Sequence, residues 1–109
     1  MKRNKQLCKA SVFSHRELAG YLVEYDNGEF VFEYLEGYNG PPISLTMAVA
    51  QKIFTFKRFP AFFEGLLPEG ERLEALLVRY KIDRSDYFSI LLLTGSDLVG
   101  AVEVEKANE

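Results

Sequence analysis

The chain has 109 residues, which suits one domain covering 1–109, and its hydrophobic share of 48% is enough for a single core. Its formal net charge is −3, and its only basic cluster lies in the first nine residues, which argues against direct binding to nucleic acid. The lone cysteine, Cys8, excludes an intrachain disulfide, and a zinc site would have only His15 as a further Cys or His ligand.

The first third of the chain is predicted to form antiparallel strands. Asp26-Asn27-Gly28-Glu29 favours a hairpin, because Asn-Gly suits the positive φ angles of a two-residue type I′ turn. Counting outward from that turn places six apolar side chains on one face of the sheet. The predicted pairs are Tyr25 with Phe30, Val23 with Phe32, and Tyr21 with Tyr34.

A second hairpin is predicted to precede it, with a turn at His15-Arg16. Its pairs, which fall on the same apolar face, are Val12 with Ala19, Ala10 with Tyr21, and Cys8 with Val23. Arg16 would then adopt a conformation usually given to glycine, so a longer or bulged turn is the alternative. The strands expected from both hairpins cover about 7–13, 18–25 and 29–35.

The segment 36–58 contains two short alternating runs that follow a stretch broken by glycines and prolines at 37–42. Alternation of apolar and polar residues is the pattern of a half-buried strand. Both runs, 43–47 and 52–57, are therefore candidates for a short strand.

The second half of the chain is predicted to be helical, with a closing strand. The expected elements are helices at about 60–67, 69–80 and 85–94, and a strand at about 100–104. Ser85 is a suitable N-cap for the third helix, and Gly95 is well placed to end it. Together the elements predict an α+β fold, in which a small antiparallel sheet packs against a helical half.

Motifs typical of enzymes are incomplete in this sequence. His15-Arg16-Glu17 has the order of the kinase catalytic loop, but Leu22 stands where an asparagine must hold magnesium. The glycines of 65–70 have P-loop spacing, but Glu71 follows where the phosphate-binding lysine is required. We therefore expect no catalytic, cofactor-binding or metal-binding residues. Without a signal-peptide pattern or an apolar run of membrane-spanning length, we also expect a cytoplasmic protein.

The apolar run 59–70 provides the candidate residues for binding a partner protein, and these are Phe59, Phe62, Phe63 and Glu64. A short helix bounded by Pro60 and Pro68 has few covered faces, and adjacent side chains on a helix point about 100° apart. Two of the three phenylalanine rings are expected in the core. The hypothesis is that one ring projects as an anchor into a partner, with Glu64 beside it at the polar rim.

Six segments carry a combined signature along most of the chain. They lie at 12–20, 30–34, 43–47, 62–70, 86–91 and 95–102, and the most specific is Leu66-Leu-Pro-Glu-Gly70. In this order they resemble the N-terminal subdomain of the HipA-type toxin kinases. The family usually has Asn-Gly in its opening hairpin, where this chain has His15-Arg16.

The resemblance implies an α+β subdomain that packs on a Ser/Thr kinase core and does not bind ATP. A stand-alone form of this subdomain is similar to HipS, the small component of split HipBST toxin–antitoxin systems. Such a protein is expected to bind a HipT-like kinase, counteract its toxicity without catalysis, and join a ternary complex with a HipB-like DNA-binding protein. The alternative is an N-terminal scaffolding subdomain of a full-length HipA-like kinase that contacts its HipB-like partner.

Overall fold

The computed structural model describes residues 5–97 and 101–107, and within these ranges the chain forms one antiparallel sheet and three α-helices. The strands are β1 Gln6–Ser14, β2 Glu17–Tyr25, β3 Phe30–Tyr34, β4 Ile53–Phe56 and β5 Val102–Lys106, in the sheet order β4-β3-β2-β1-β5. The helices are α1 Ala61–Glu64, α2 Gly70–Tyr80 and α3 Tyr87–Thr94, with short 3-10 turns at Val49–Gln51 and Gly95–Asp97. The predicted α+β fold is confirmed.

The β1–β2 hairpin has the predicted two-residue turn but not the predicted register. His15 and Arg16 occupy the turn with φ angles of 52° and 68°. Beyond it, Phe13 pairs with Leu18 but Val12 pairs with Gly20, which leaves Ala19 as the extra residue of a β-bulge. The predicted pairing of Val12 with Ala19 is therefore wrong by one residue.

The β2–β3 hairpin closes with a three-residue loop, so the two-residue Asn-Gly turn is wrong. The Tyr25 amide donates to the Glu29 carbonyl at 2.9 Å, and the Gly28 amide donates to the Tyr25 carbonyl at 3.0 Å. Only Gly28 in this loop has a positive φ, 89°, which is typical of a three-residue hairpin with a glycine bulge. As a result Phe30 pairs with Glu24 instead of Tyr25.

The two register shifts cancel for β1 and β3 but turn β2 over, because a slip of one residue moves every side chain to the opposite face. Leu22 is fully buried and pairs with Phe32. Tyr21 and Val23, which were predicted in the core, lie half-buried on the other face of the sheet. There the Lys9 ammonium group lies 4.2 Å from the centre of the Tyr21 ring, a cation–π contact.

The core lies between the covered face of the sheet and helices α1 and α3. Sheet residues in it include Val12, Leu22, Phe32, Tyr34, Phe54 and Val104. Aromatic rings make the main contacts with the helical side: Phe63 of α1 lies 6.1 Å from Phe32, and Phe88 of α3 lies 5.8 Å from Phe30, between ring centres. Each large apolar side chain of this kind contributes about 1.5–3 kcal/mol when fully buried.

The irregular segment between β3 and β4 is held by one buried tyrosine. The Tyr34 hydroxyl donates to the Met47 carbonyl and accepts a hydrogen bond of 3.1 Å from the Ile43 amide. Ile43 and Met47 are both buried, but residues 43–47 form turns, so the first of the two strand candidates is wrong. The second candidate is confirmed as β4.

The third helix is capped by Asp86 and not by Ser85 as predicted. One Asp86 carboxylate oxygen accepts from the Ser89 amide at 3.2 Å, and the other accepts from the Ser89 hydroxyl at 2.7 Å. Ser85 instead donates to Asp83 through its amide and its hydroxyl. The side chain that starts α3 therefore comes one residue later than predicted, and it is an acid.

The end of α3 is fixed by close packing on β5. Gly95 ends the helix as predicted, but its φ of −61° is ordinary for any residue. A Cβ atom there would lie 1.9 Å from the Val104 carbonyl oxygen, so glycine is required by the close approach of two backbones. The closing strand runs over Val102–Lys106, later than the predicted 100–104, and residue 100 lies outside the described residues.

Removing the Tyr34 hydroxyl tests its role in holding the irregular segment. Tyr34→Phe leaves the buried Ile43 amide without its acceptor, which costs about 1–3 kcal/mol in the free energy of unfolding. Urea denaturation measures this loss. Tyr21→Phe is the matched control, because Tyr21 lies half-buried on the open face, and equal losses in the two variants would contradict the role given to Tyr34.

The left-handed turn of the first hairpin predicts a stabilising substitution. Replacing His15-Arg16 by Asn-Gly removes two non-glycine residues from positive φ angles and is expected to raise the free energy of unfolding by about 1 kcal/mol. Thermal and urea unfolding measure the gain. Arg16→Lys keeps a non-glycine residue at the same positive φ and should leave the free energy of unfolding unchanged. A loss of stability in the Asn-Gly variant would refute the assignment of strain.

Candidate partner-binding surface

The structure separates the four candidate residues into two layers. Phe59 and Phe63 are 8% and 0% exposed, and the Phe59 ring lies edge-on to Phe30 at 5.3 Å between ring centres. Phe62 is half-buried, with its ring 5.1 Å from that of Phe63, and Glu64 is exposed. In this arrangement Phe59 and Phe63 support the surface from inside, while Phe62 and Glu64 form part of it. Their binding to a partner remains a prediction.

Two adjoining cavities form a groove beside Glu64, and we name it the α1–α3 groove. The larger cavity, about 500 Å³, is lined by residues that include Glu24, Arg58, Phe59, Glu64, Asp86 and Tyr87. The smaller cavity, about 260 Å³, is lined by residues that include Glu64, Leu67, Pro68, Leu73, Tyr87 and Ile90. Glu64 and Tyr87 border both cavities, so the groove is continuous.

The larger cavity is acidic. Glu24, Glu64 and Asp86 contribute carboxylates to its wall, and Arg58 is the cation there. Partial burial, with a smaller contribution from the negative charge of Asp86, raises the pKa of Glu24 above its ordinary value. Glu24 reaches this wall because β2 is turned over relative to the simple hairpin count.

Helix α2 borders the smaller cavity and carries an apolar stripe that the domain covers only in part, since Leu73, Leu76 and Leu77 are half-buried. Leu73, Leu76, Leu77 and Tyr80 follow helical spacing on one side, yet none of the eleven residues of α2 is buried. Tyr80 is 46% exposed. We call these four residues the α2 stripe.

A salt bridge fixes the outer side of α2 to the turn before α3. Arg84 donates to Glu74 at 2.7 Å, and this hydrogen bond lowers the pKa of the Glu74 carboxyl below its ordinary value. Both partners are well exposed, so the contact orients the helix more than it stabilises the fold.

The described residues provide no metal site and no membrane-spanning helix. No three or more His, Cys, Asp or Glu side chains in residues 5–97 and 101–107 are arranged to hold a metal ion, including the acids of the groove. No helix in the same ranges is long and apolar enough to cross a bilayer.

The sequence interpretation found the region of this surface but missed several of its residues. Helical spacing predicted a helix at about 69–80, but nothing in that spacing shows how much of its apolar face stays exposed. Glu24 and Asp86 are far apart in the sequence, so the signal that joins them is the register of β2, which the hairpin count misassigned.

Comparison with known proteins identifies the fold. The family model described as HipA N-terminal domain matches residues 10–105. The chain belongs to the HipA N-terminal domain family. An uncharacterized protein of Haemophilus influenzae is 34% identical over 98 residues, which cover 90% of this chain and 92% of that protein. A solved structure, the N-terminal domain of HipA toxin, superimposes with a TM-score of 0.74 at 29% identity and covers 100% of this chain and 99% of that one.

Membership of the HipA N-terminal domain family indicates a component of a toxin–antitoxin system, and in the HipA toxin itself the matching N-terminal domain is a non-catalytic subdomain. The surface just described is therefore best examined as a contact surface. In this HipA N-terminal domain it combines the α1–α3 groove, the α2 stripe, the half-buried Phe62 and the exposed Glu64.

The raised pKa of Glu24 predicts a pH-dependent stability difference. Because the folded-state pKa exceeds the ordinary value of 4.5, the stability linked to this group is fully present below about 4.5 and is lost as the pH rises through the folded-state pKa. Glu24→Gln cannot ionise, so it should be more stable than the parent chain at pH 7, with a difference that shrinks toward pH 4.

Urea unfolding of both proteins at pH 7 and pH 4 measures this difference. Glu33→Gln makes the same change at an exposed position on the opposite face of the sheet and serves as the control. An equal gain in the control, or a gain at Glu24 that does not depend on pH, would contradict the assignment to Glu24 burial.

Proposed function

We propose that this chain is a non-catalytic, antitoxin-like module that binds a HipA-like or HipT-like Ser/Thr kinase toxin in the cytoplasm and counteracts it by protein–protein contact. The observation that carries the proposal is the α2 stripe, an apolar helix face with no buried residue in a domain of the HipA family. A partner that covers the stripe would gain less than the about 1.5–3 kcal/mol that burial of a fully exposed side chain provides, because the three leucines are already half-buried.

The rest of the surface supports the same proposal. Phe62 is a half-buried aromatic side chain whose ring packs on the fully buried ring of Phe63, which holds it in place. Aromatic residues of this kind, surrounded by polar residues such as Glu64, are the usual anchors of protein interfaces. We propose that the domain docks on the kinase with this surface and blocks or distorts the substrate cleft, and that the isolated chain neither binds nor hydrolyses ATP.

The relatives favour two versions of this function. The Haemophilus influenzae relative is covered to 92%, so that protein consists of this domain and little else, which supports a stand-alone module. The solved structure is the N-terminal domain of HipA toxin, which supports the alternative of a scaffolding subdomain that contacts a HipB-like partner within a full-length kinase. The position of the stop codon and the next reading frame in the gene distinguish the two. In the stand-alone version a HipB-like DNA-binding protein could complete a ternary complex.

The α2 stripe predicts how substitutions should affect kinase binding. Leu76→Ala and Leu77→Ala together remove apolar contact area without opening the core, because neither residue is buried, and we expect them to weaken binding at least about tenfold. The measurement is co-purification and titration with the kinase encoded beside the gene, followed by kinase and toxicity assays with and without this chain.

Val78→Ala is the matched control, since Val78 is 79% exposed and lies on the opposite side of the same helix. It should leave kinase binding and protection from toxicity unchanged. Unaltered kinase activity in the presence of saturating, folded parent chain would refute the proposal. Turnover of ATP by the pure chain would refute the non-catalytic assignment.

A further inference from the structure

We infer that the α1–α3 groove binds a cationic side chain, Arg or Lys, of a partner protein in its larger cavity and a neighbouring apolar side chain in its smaller cavity. The inference deepens the proposed function, on which it rests only for the identity of the partner as the kinase. It depends on four features of the groove, namely incompletely neutralised charge, aromatic walls, continuity and position.

The charge of the larger cavity is only partly neutralised within the domain, because Arg58 is one cation beside the three acids Glu24, Glu64 and Asp86. In the part of the chain that the structure describes, the two ion pairs join Lys52 to Glu36 and Arg84 to Glu74, and neither includes an acid of this cavity. Asp86 uses its oxygens to cap α3 through Ser89, which leaves its negative charge in place. The cavity therefore attracts a cation and repels phosphate-bearing partners such as nucleic acids.

The walls of the larger cavity suit a guanidinium or ammonium group. Phe59 and Tyr87 line it with their ring centres 5.6 Å apart, and Tyr87 is 36% exposed. An aromatic face beside carboxylates binds a cation both by attraction to the ring and by hydrogen bonds to the acids. The volume of about 500 Å³ is within the range of sites that enclose small organic groups, and the described acids do not form a metal site.

The smaller cavity adjoins the larger one with a mixed lining, in which Glu69 and Arg84 stand beside apolar side chains. Leu67, Pro68, Leu73 and Ile90 contribute to it, and it meets the acidic cavity at Glu64 and Tyr87. Leu73 also belongs to the α2 stripe, so a segment bound in the groove would extend the interface proposed for α2. A partner segment with a basic residue next to an apolar one would place the basic side chain in the larger cavity and the apolar side chain in the smaller one.

A pair of blocked dipeptides tests the groove without the kinase. The ¹⁵N-labelled full chain is titrated with N-acetyl-arginyl-leucinamide and, separately, with N-acetyl-citrullyl-leucinamide, which has nearly the same shape but no charge. We expect saturable shifts of the backbone amides of Gly28, Arg58 and Tyr87 with the arginyl peptide, and binding at least about fivefold weaker with the citrullyl peptide. Absent shifts, or equal affinity for both peptides, would overturn the inference.

Substitution at Glu24 provides a second readout. Glu24→Gln should weaken binding of the arginyl peptide about fivefold or more. Because the stability of this variant at pH 7 is expected to be unchanged or higher, the loss of binding cannot come from unfolding. Glu33→Gln, on the other face of the sheet, should leave peptide binding unchanged. Equal weakening in both variants would show a general charge effect and overturn the assignment to the groove.

The same variants separate this inference from the proposed function. Kinase binding that is weakened by Glu24→Gln supports both. Kinase binding together with a failed peptide titration overturns the groove inference and leaves the proposed function standing. Peptide binding without any kinase binding overturns the proposed function and supports the groove as a site for another protein. Self-association of the chain that disappears in Glu24→Gln would assign the groove to a second copy and overturn the inference.

Discussion

The register of β2 determines which side chains this HipA N-terminal domain buries and which it presents to a partner. The bulge at Ala19 and the three-residue loop at Asp26–Gly28 each shift the ladder by one residue, so β2 alone is turned over between two correctly facing neighbours. Leu22 thereby enters the core, and Glu24 comes to the helix-covered side of the sheet near Asp86. Without these shifts an apolar residue would stand in the place of Glu24, and the larger cavity would lose one of its acids.

The helical half depends on that sheet unequally. Helix α3 is apolar on nearly every side and is largely buried. It starts at the Asp86 cap and ends where the Gly95 backbone contacts Val104 on β5. Helix α1 is short but carries Phe63 into the core. Helix α2 lies between them in sequence and has no buried residue, so its stripe keeps part of its apolar area exposed. Asp86 has two physical effects, since it caps one helix and also raises the pKa of a carboxyl group on a strand.

Local patterns in the sequence were sufficient for the elements and insufficient for the register. Periodicity identified β1 to β3 and the three helices, since amphipathic spacing is a property of neighbouring residues. A two-residue loop and a three-residue loop can share the same Asn27-Gly28, because both need glycine at a positive φ, and the choice alters every pair beyond it. The strand expected at 43–47 failed for a related reason: its alternation reflects burial of Ile43 and Met47 around the distant Tyr34. The apolar run 59–70 lies along the candidate surface, but Glu24 and Asp86 of the acidic wall come from two distant segments.

The energetic cost of Glu24 connects the stability of the domain with its interactions. At neutral pH the partly buried carboxylate is less favourable than it would be in water, and the charge of Asp86 adds to that penalty. A cation bound in the larger cavity would remove the penalty, because an opposite charge nearby favours the ionised form. Part of the binding free energy would then come from strain already present in the free domain and not from new contact area. Glu33 carries the same charge but is exposed on the other face of the sheet, so charge alone is not the decisive property. What sets Glu24 apart is its position on the covered face, which the register of β2 imposes.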